Sequence, residues 1–255
     1  MIQLDEGDGP VIATAIHDGH ELRADVAARM ALTAATRLRE EDPYTGWLTE
    51  IAPTRLVARR SRFEVDLNRP RERAVYRVCE DAWGLEVWRG GCPDELAEES
   101  LAAYDAFYAT LERVLRARER RHGRFVVLDL HSYNHRRAGA DGAAELVDAN
   151  PEINLGTGTV DRERWGSLVT RFLEDLAAQE VQGHRLDVRE NVKFQGGEMC
   201  GWIHRTFPET GVALAIELKK TFMDEWTGRV DIAHLAELKR ALAATLPGLQ
   251  ESLAG

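Results

Sequence analysis

The sequence predicts an α/β fold, a three-layer α/β/α sandwich around a mainly parallel, mixed sheet. Three short apolar runs, at residues 10–16, 125–128 and 211–216, have the composition of strands that are buried on both faces of a sheet. Segments with helical periodicity lie between these runs, and strands that alternate with helices form mainly parallel sheets. Neither internal repeats nor Pro/Ser-rich linkers occur, so we predict one domain over residues 1–255.

The composition argues against several classes of function. A net charge of −10 argues against non-specific binding of nucleic acid, because such binding needs a basic surface. Cys79, Cys92 and Cys200 are scattered and form no CxxC pair, so we expect neither a disulfide framework nor a thiolate metal site. The acidic start of the chain lacks the apolar core of a signal peptide, and no apolar run approaches membrane-spanning length. We therefore expect a soluble, cytoplasmic protein without nucleic-acid or membrane partners, and the oligomeric state stays open.

The spacing of apolar residues predicts the secondary structure between the first two apolar runs. Residues 22–41 carry an apolar residue every four positions, which predicts one amphipathic helix that ends ahead of a proline. Residues 54–58 and 61–65 predict a strand or a hairpin. Residues 71–93 predict an irregular insertion, whereas residues 94–121 predict a long amphipathic helix.

The second half of the chain continues the alternation. Residues 136–150 are rich in Gly, Ala and Asp and predict a loop. Residues 153–155 and 186–188 predict short strands on either side of a helix at 161–180. A closing amphipathic helix is predicted over residues 231–246.

Each of the three apolar runs is followed by side chains that can bind a metal or transfer a proton. His17 follows the first run, Asp129 and His131 follow the second, and Glu217 follows the third. In open α/β sheets ligands bind just outside the carboxyl ends of the strands. A single histidine there is as easily a strand cap as a ligand, but the coincidence of three such ends favours a site. Two imidazoles and a carboxylate suit a divalent metal such as zinc, whose catalytic sites use about three protein ligands.

The residues around this set indicate hydrolysis of an amide bond. A further carboxylate can take a proton from water that the metal activates, while the metal polarises the scissile carbonyl. Arg69 has a planar guanidinium that can bind a carboxylate in bidentate fashion, although it could instead be a buried partner of Asp66 or Glu64. Asp129 is expected to orient a ligand histidine from behind. No HExxH helix and no GxSxG turn are present, so Ser132 is a poor candidate nucleophile.

Five blocks of the sequence resemble the N-formylglutamate amidohydrolase family, in that family's order, over residues 11–228. They are SRFEVDLNRP at 61–70, LDLHS at 128–132, INLGT at 153–157, NVKFQGG at 191–197, and LAIE at 214–217 with FMDE at 222–225. The family is similar in fold to zinc carboxypeptidases, of the phosphorylase/hydrolase-like type, and to aspartoacylase-type deacylases. The resemblance therefore implies the same three-layer fold and a divalent metal, with zinc expected.

The resemblance also implies roles for individual residues. His17 and His131 would be metal ligands, Glu217 the general base or acid, and Asn68 with Arg69 the binding site of a substrate carboxylate. The third metal ligand is open. The carboxypeptidase pattern has a glutamate three residues after the first histidine, where this chain has His20 beside Glu21, whereas the deformylases carry an aspartate where this chain has Asp42. We favour Asp42 slightly over His20.

These observations predict a metal-dependent amidohydrolase that acts on a small acidic N-acyl amino acid such as N-formylglutamate. The segment after residue 197 departs from the family pattern, which leaves the acyl specificity open. Two related hypotheses retain metal-dependent hydrolysis of an amide bond. They are a carboxypeptidase-like peptidase and another N-acyl-amino-acid deacylase. A hypothesis of a different class is a non-catalytic relative that binds an acidic metabolite.

Overall fold

A seven-stranded mixed sheet lies at the centre of the computed structural model, which describes residues 1–255. Its strands are β1 (Ile2–Asp5), β2 (Val11–Ala15), β3 (Thr54–Ala58), β4 (Phe125–Tyr133), β5 (Ile153–Gly156), β8 (Val188–Glu190) and β9 (Gly211–Lys219). A separate two-stranded sheet pairs β6 (Glu180–Val181) with β7 (His184–Arg185). The helices are α1 (Ala24–Arg29), α2 (Ala34–Glu40), α3 (Thr45–Leu48), α4 (Asp94–His122), α5 (Arg162–Ala177), α6 (Glu198–Thr206), α7 (Ile232–Ala244) and α8 (Leu246–Ala254).

The strand order is β1-β3-β2-β4-β9-β5-β8. The central strands β3, β2, β4 and β9 run parallel to one another. The strand β1 is antiparallel to β3, and β5 is antiparallel to β9 but parallel to β8. The predicted fold class, a mainly parallel mixed sheet between helical layers, is confirmed.

The central strands separate two apolar cores because successive side chains of a strand point to opposite faces. In β4, Val126, Leu128 and Leu130 belong to a core covered by α5, α7 and α8, whereas Phe125 and Val127 belong to a core covered by α4 and α6. Every residue of β4 is buried, which explains its near-continuous apolar sequence. Asp129, His131 and Glu217 lie on the α4/α6 side by the same alternation.

Several predicted elements differ from the structure. The single helix predicted over residues 22–41 is wrong, because the chain leaves the helical conformation at Met30 and α2 begins after Thr33. Met30 instead forms a β-bridge with Trp88, and the Ala31 N–H donates to the Val87 carbonyl at 2.8 Å. The irregular insertion thus interrupts the helix through tertiary contacts.

Three further differences concern the site and the chain end. Residues 61–65 form turns instead of a strand, with the Glu64 N–H donating to the Ser61 carbonyl at 3.0 Å. Glu217 lies within β9 and does not follow it. The helix α8 was not predicted. None of the helices is both long and apolar enough to cross a membrane.

The core that α5 shares with the sheet generates a stability prediction. Phe172 is fully buried in it, so Phe172→Ala should lower the free energy of unfolding by about 3–5 kcal/mol through lost burial and a residual cavity. Ile232 is 71% exposed, and Ile232→Ala, as a control, should change that free energy by only about 0.5 kcal/mol. Urea denaturation of both variants measures the difference. Equal effects would contradict the assigned core.

Candidate active site

A cavity of about 350 Å³ lies near the carboxyl ends of β2, β4 and β9. His17 comes two residues after β2, and His131 and Glu217 are Cα partners in neighbouring strands two residues before the strands end. Polar side chains dominate the wall of this cavity. The polar residues are His17, Glu40, Asp42, Arg62, Asn68, His131, Ser132, Asn134, Arg137, Lys193, Gln195, Glu217 and Lys220. Three aromatic residues, Trp83, Tyr133 and Phe194, also line the cavity.

His17, Asp42 and His131 form the one compact group of potential metal ligands in the chain. One ligand atom from each lies within 4.8 Å of the other two, and all three residues are buried. Asp42 Oδ2 is 2.9 Å from His131 Nδ1 and 3.4 Å from His17 Nδ1. The backbone holds Asp42 in place after α2, because the Asp42 N–H donates to the His17 carbonyl at 2.9 Å. The structure therefore brings three of the predicted site residues together.

Each imidazole of this group is also held from behind by a buried carboxylate. His17 Nε2 is 2.6 Å from Asp66 Oδ1, and His131 Nε2 is 2.9 Å from Asp129 Oδ2. Both rings consequently direct Nδ1 toward Asp42. Metal-binding histidines commonly have such a partner, which sets the tautomer and makes the ligand nitrogen more basic. The contact predicted for Asp129 is present, whereas sequence reasoning missed the role of Asp66.

Asp66 is the centre of its own hydrogen-bond network. Its carboxylate accepts from Arg62 Nη2 at 2.8 Å, from the Asn68 N–H at 2.9 Å and from the Tyr76 hydroxyl. Burial opposes its ionisation, but the charges of Arg62 and His17 outweigh burial and hold the pKa of Asp66 well below its ordinary value. The one sequence signal was its place between Val65 and Leu67, which predicts burial and hence a charged partner.

The electrostatics of the group suit a cation. Burial opposes the charge of Asp42, but hydrogen bonds from His131 and His17 hold its pKa below the ordinary value. Burial also disfavours a charged His131, yet Asp129 and Asp42 raise its pKa well above normal. Two imidazole nitrogens and a carboxylate oxygen, surrounded by further carboxylates, are a donor set that fits a divalent cation.

The alternative third ligands lie elsewhere. His20 Nδ1 is 2.5 Å from Glu41 Oε2, and its Nε2 is 3.3 Å from Arg37 Nη2. Glu21 is exposed and pairs with Arg59 at 3.2 Å. The structure thus places Asp42, and neither His20 nor Glu21, beside the two histidines.

Glu217 faces the same cavity with an altered proton affinity. Burial is the main reason that its pKa rises to about 7; the nearby imidazoles oppose this rise, and Asp42 and Asp129 reinforce it. A carboxyl group with such a pKa can both accept and return a proton near neutral pH.

Asn68 and Arg69 are adjacent in sequence but differ in placement. Asn68 lines the cavity, where its Oδ1 accepts from the Met199 N–H of α6 at 3.1 Å. A Cβ at Gly197 would come within 2.2 Å of Asn68 Oδ1, so a larger residue there would displace the Asn68 amide. Arg69 does not line the cavity. Its Nη2 donates to the Asp81 carbonyl at 2.6 Å, and its Nε is 3.4 Å from Asp66 Oδ2.

Lys220 connects the end of β9 to the chain beside Asp42. Its Nζ donates to the carbonyls of Arg39 and Glu41, both at 2.6 Å, and these groups lie where α2 leaves its last carbonyls unpaired. The side chain is 1% exposed, and burial lowers the pKa of Lys220 to about 8. This lysine was not singled out from the sequence.

Sequence comparisons match the chain to one protein family. A family model described as N-formylglutamate amidohydrolase matches residues 9–223. The chain is 27% identical over 272 residues to the N-formylglutamate deformylase of Pseudomonas aeruginosa, covering 99% of this chain and 96% of that protein.

Two solved structures share the fold. The N-formylglutamate amidohydrolase from Ralstonia eutropha JMP134 has a TM-score of 0.76 at 19% identity, covering 98% of this chain and 97% of that chain. A gene product from Agrobacterium tumefaciens has a TM-score of 0.57 at 20% identity, covering 99% of this chain and 94% of that chain.

The adjacent lysines at the end of β9 generate a second stability prediction. Lys220→Met leaves two carbonyls without their donor and should lower the free energy of unfolding by about 1–3 kcal/mol. Lys219 is partly exposed and donates to one carbonyl, that of Asn150, at 2.8 Å. Lys219→Met is therefore the control and should cost less. Urea denaturation compares the two, and an equal loss would contradict the role of Lys220.

Proposed function

Because the chain belongs to the N-formylglutamate amidohydrolase family, we propose that it hydrolyses the N-formyl amide of a small acidic amino acid, with N-formylglutamate as the first substrate to test. The observation that carries this proposal is the meeting of a potential metal-binding group and Glu217 in one cavity. The reaction adds water across the amide bond and releases formate and the free amino acid.

His17, Asp42 and His131 would hold a divalent cation, and their two nitrogens and one oxygen favour zinc. Such a cation supplies Lewis acidity to the formyl carbonyl and to water. Asp66 and Asp129 keep both imidazoles turned toward Asp42. The protein thereby prearranges the ligands, so that little reorganisation accompanies metal binding.

Glu217 would carry the proton. It accepts a proton from the water that attacks the formyl carbon, and it donates that proton to the nitrogen of the amino acid as the C–N bond breaks. Without a bound cation, burial raises the pKa of Glu217 to about 7, and this preference for a proton supports its part as proton carrier. Its position opposite His131 in the sheet keeps the carboxyl group beside the metal-binding group.

The charges on the wall favour an anionic substrate. Four cationic residues, Arg62, Arg137, Lys193 and Lys220, line the cavity. Together with a divalent cation they outweigh the carboxylates that line it, which are Glu40, Asp42 and Glu217. The carboxylate clamp of Asn68 and Arg69 stays a prediction, and Arg69 would have to leave Asp66 and Asp81 to take part in it.

A substrate panel tests the proposal. Protein with a measured metal content is offered formyl, acetyl and succinyl derivatives of glutamate, aspartate and neutral amino acids, together with short peptides. We expect N-formylglutamate to be hydrolysed fastest, and His131→Ala to lose both metal and activity. Preference for peptides or acetyl derivatives would instead favour a peptidase or another deacylase. Binding without turnover by metal-replete protein would favour a non-catalytic relative.

The role of Glu217 predicts a loss of turnover. Glu217→Gln keeps the shape of the side chain but removes the proton carrier, so kcat should fall by about 10²–10⁴-fold while metal content is unchanged. Glu209→Gln, on an exposed turn, is the matched control. Steady-state kinetics with N-formylglutamate measure the effect. A Glu217→Gln variant with near-normal kcat would exclude this role.

The role of Asp66 predicts a loss of metal affinity. Asp66→Asn removes the charge behind His17, and the affinity for zinc should fall by about 10–100-fold. Competition of metal-free protein with a chromogenic chelator measures this affinity. Asp105→Asn, in an exposed pair with Arg71, is the control and should leave it unchanged. If folded Asp66→Asn protein binds zinc with unchanged affinity, Asp66 does not support His17 as a metal ligand.

A further inference from the structure

Lys193 lies on the wall of the cavity that His131 and Glu217 also line. Its backbone N–H donates to Asn154 Oδ1 at 2.8 Å, and Asn154 is the Cα partner of Glu217 in the neighbouring strand. Its ammonium group is 5.2 Å from the centre of the Tyr133 ring. Tyr133 is two residues beyond His131 on the same face of β4, so about 7 Å separates their Cα atoms. The contact with Tyr133 thus places the ammonium beside the strand that carries His131.

The ammonium of Lys193 has two partners of different kinds. Asn150 Oδ1, at 2.5 Å, belongs to a residue that is 2% exposed, and it holds the ammonium in place as a neutral acceptor. Glu145 Oε2, at 2.9 Å, belongs to a side chain that is 33% exposed, on the segment that joins β4 to β5. Ion pairs that are partly exposed to water contribute little stability, so another carboxylate can replace Glu145 at small cost.

The other cations of the wall are bound differently. Arg62 pairs with the fully buried Asp66, and Lys220 donates to two backbone carbonyls. Arg137 is nearly half exposed and lies 3.6 Å from Glu40, without a buried acceptor of its own among the hydrogen bonds of the structure. Lys193 alone combines a buried anchor with a carboxylate partner on a surface segment.

We propose that Lys193 selects substrates that carry a second carboxylate, and that Glu145 occupies the place of this carboxylate in the free protein. The inference rests on the proposed function and deepens it, because it assigns recognition of the acidic side chain to one residue. Binding exchanges the Glu145 carboxylate for that of the substrate, while Asn150 keeps the ammonium in position.

The test compares N-formylglutamate with N-formylglutamine, which differ only in replacing the distal carboxylate by an amide. The preference is the ratio of the two kcat/KM values, measured with metal-replete protein. Lys193→Met should lower this ratio at least about tenfold, through a higher KM for the glutamate substrate alone. Lys193→Arg keeps the charge and should retain most of the ratio.

Glu145→Gln provides a result that a purely structural contact would not produce. Removing the internal carboxylate should lower the KM for N-formylglutamate by about two- to fivefold, the strength of a partly exposed ion pair, and leave that for N-formylglutamine unchanged. Lys239→Met is the matched control, because Lys239 also pairs with a glutamate, Glu50, at 2.6 Å and lies over an aromatic ring, but it is remote from the cavity. It should leave the preference unaltered.

The outcomes separate this inference from the function on which it rests. If the wild-type protein hydrolyses N-formylglutamate but Lys193→Met affects both substrates equally, Lys193 only joins two surface segments and the inference is overturned while the function stands. An unchanged or higher KM in Glu145→Gln overturns the part assigned to Glu145. If the wild-type protein hydrolyses neither substrate, the proposed function fails and the inference fails with it.

Discussion

The structure around the cavity depends on two contacts between buried carboxylates and imidazoles, Asp66 with His17 and Asp129 with His131. Both carboxylates are fully buried, and a buried charge is tolerated only when it is paired and hydrogen-bonded. The surrounding chain meets this requirement. Thr14 Oγ1 donates to Asp129, and the turn that follows β3 directs Arg62 and the Asn68 N–H at Asp66. The irregular segment between β3 and α4 is thereby tied to the sheet.

Residues of the cavity come both from the strands of the sheet and from the loops around it. His131 and Glu217 lie in neighbouring strands whose register pairs their Cα atoms, so the groups that we propose to react have a rigid support. The cationic residues Arg137 and Lys193 instead lie on irregular segments at the edge of the cavity. Loops tolerate change better than buried strands. In the proposed function, this arrangement allows substrate recognition to vary while the catalytic groups are kept.

The candidate site was predictable where its residues follow apolar runs. His17, His131 and Glu217 each stand near the end of a buried strand, and parallel strands bring their carboxyl ends to one edge of a sheet. Asp42 could not be separated from His20 and Glu21 by spacing, because the choice depends on the turn that ends α2 and on the bond from its N–H to the His17 carbonyl. Asp66 was missed since its partner is distant in sequence. Arg69 was predicted at the site, whereas the cavity is lined by Arg62, which was not singled out from the sequence.

The sequence by itself determined the class of the fold, the central strands and the chemical types of the site, because hydrophobic periodicity and the residues that close each run are local properties. Only the tertiary structure decided where α1 ends and α2 begins. It also decided that Asp42 joins His17 and His131, and which partners the charged residues have. The physical reason is that these features arise from contacts between distant segments. The bridge of Met30 to Trp88 and the bond of His17 to Asp66 have no counterpart in the local sequence.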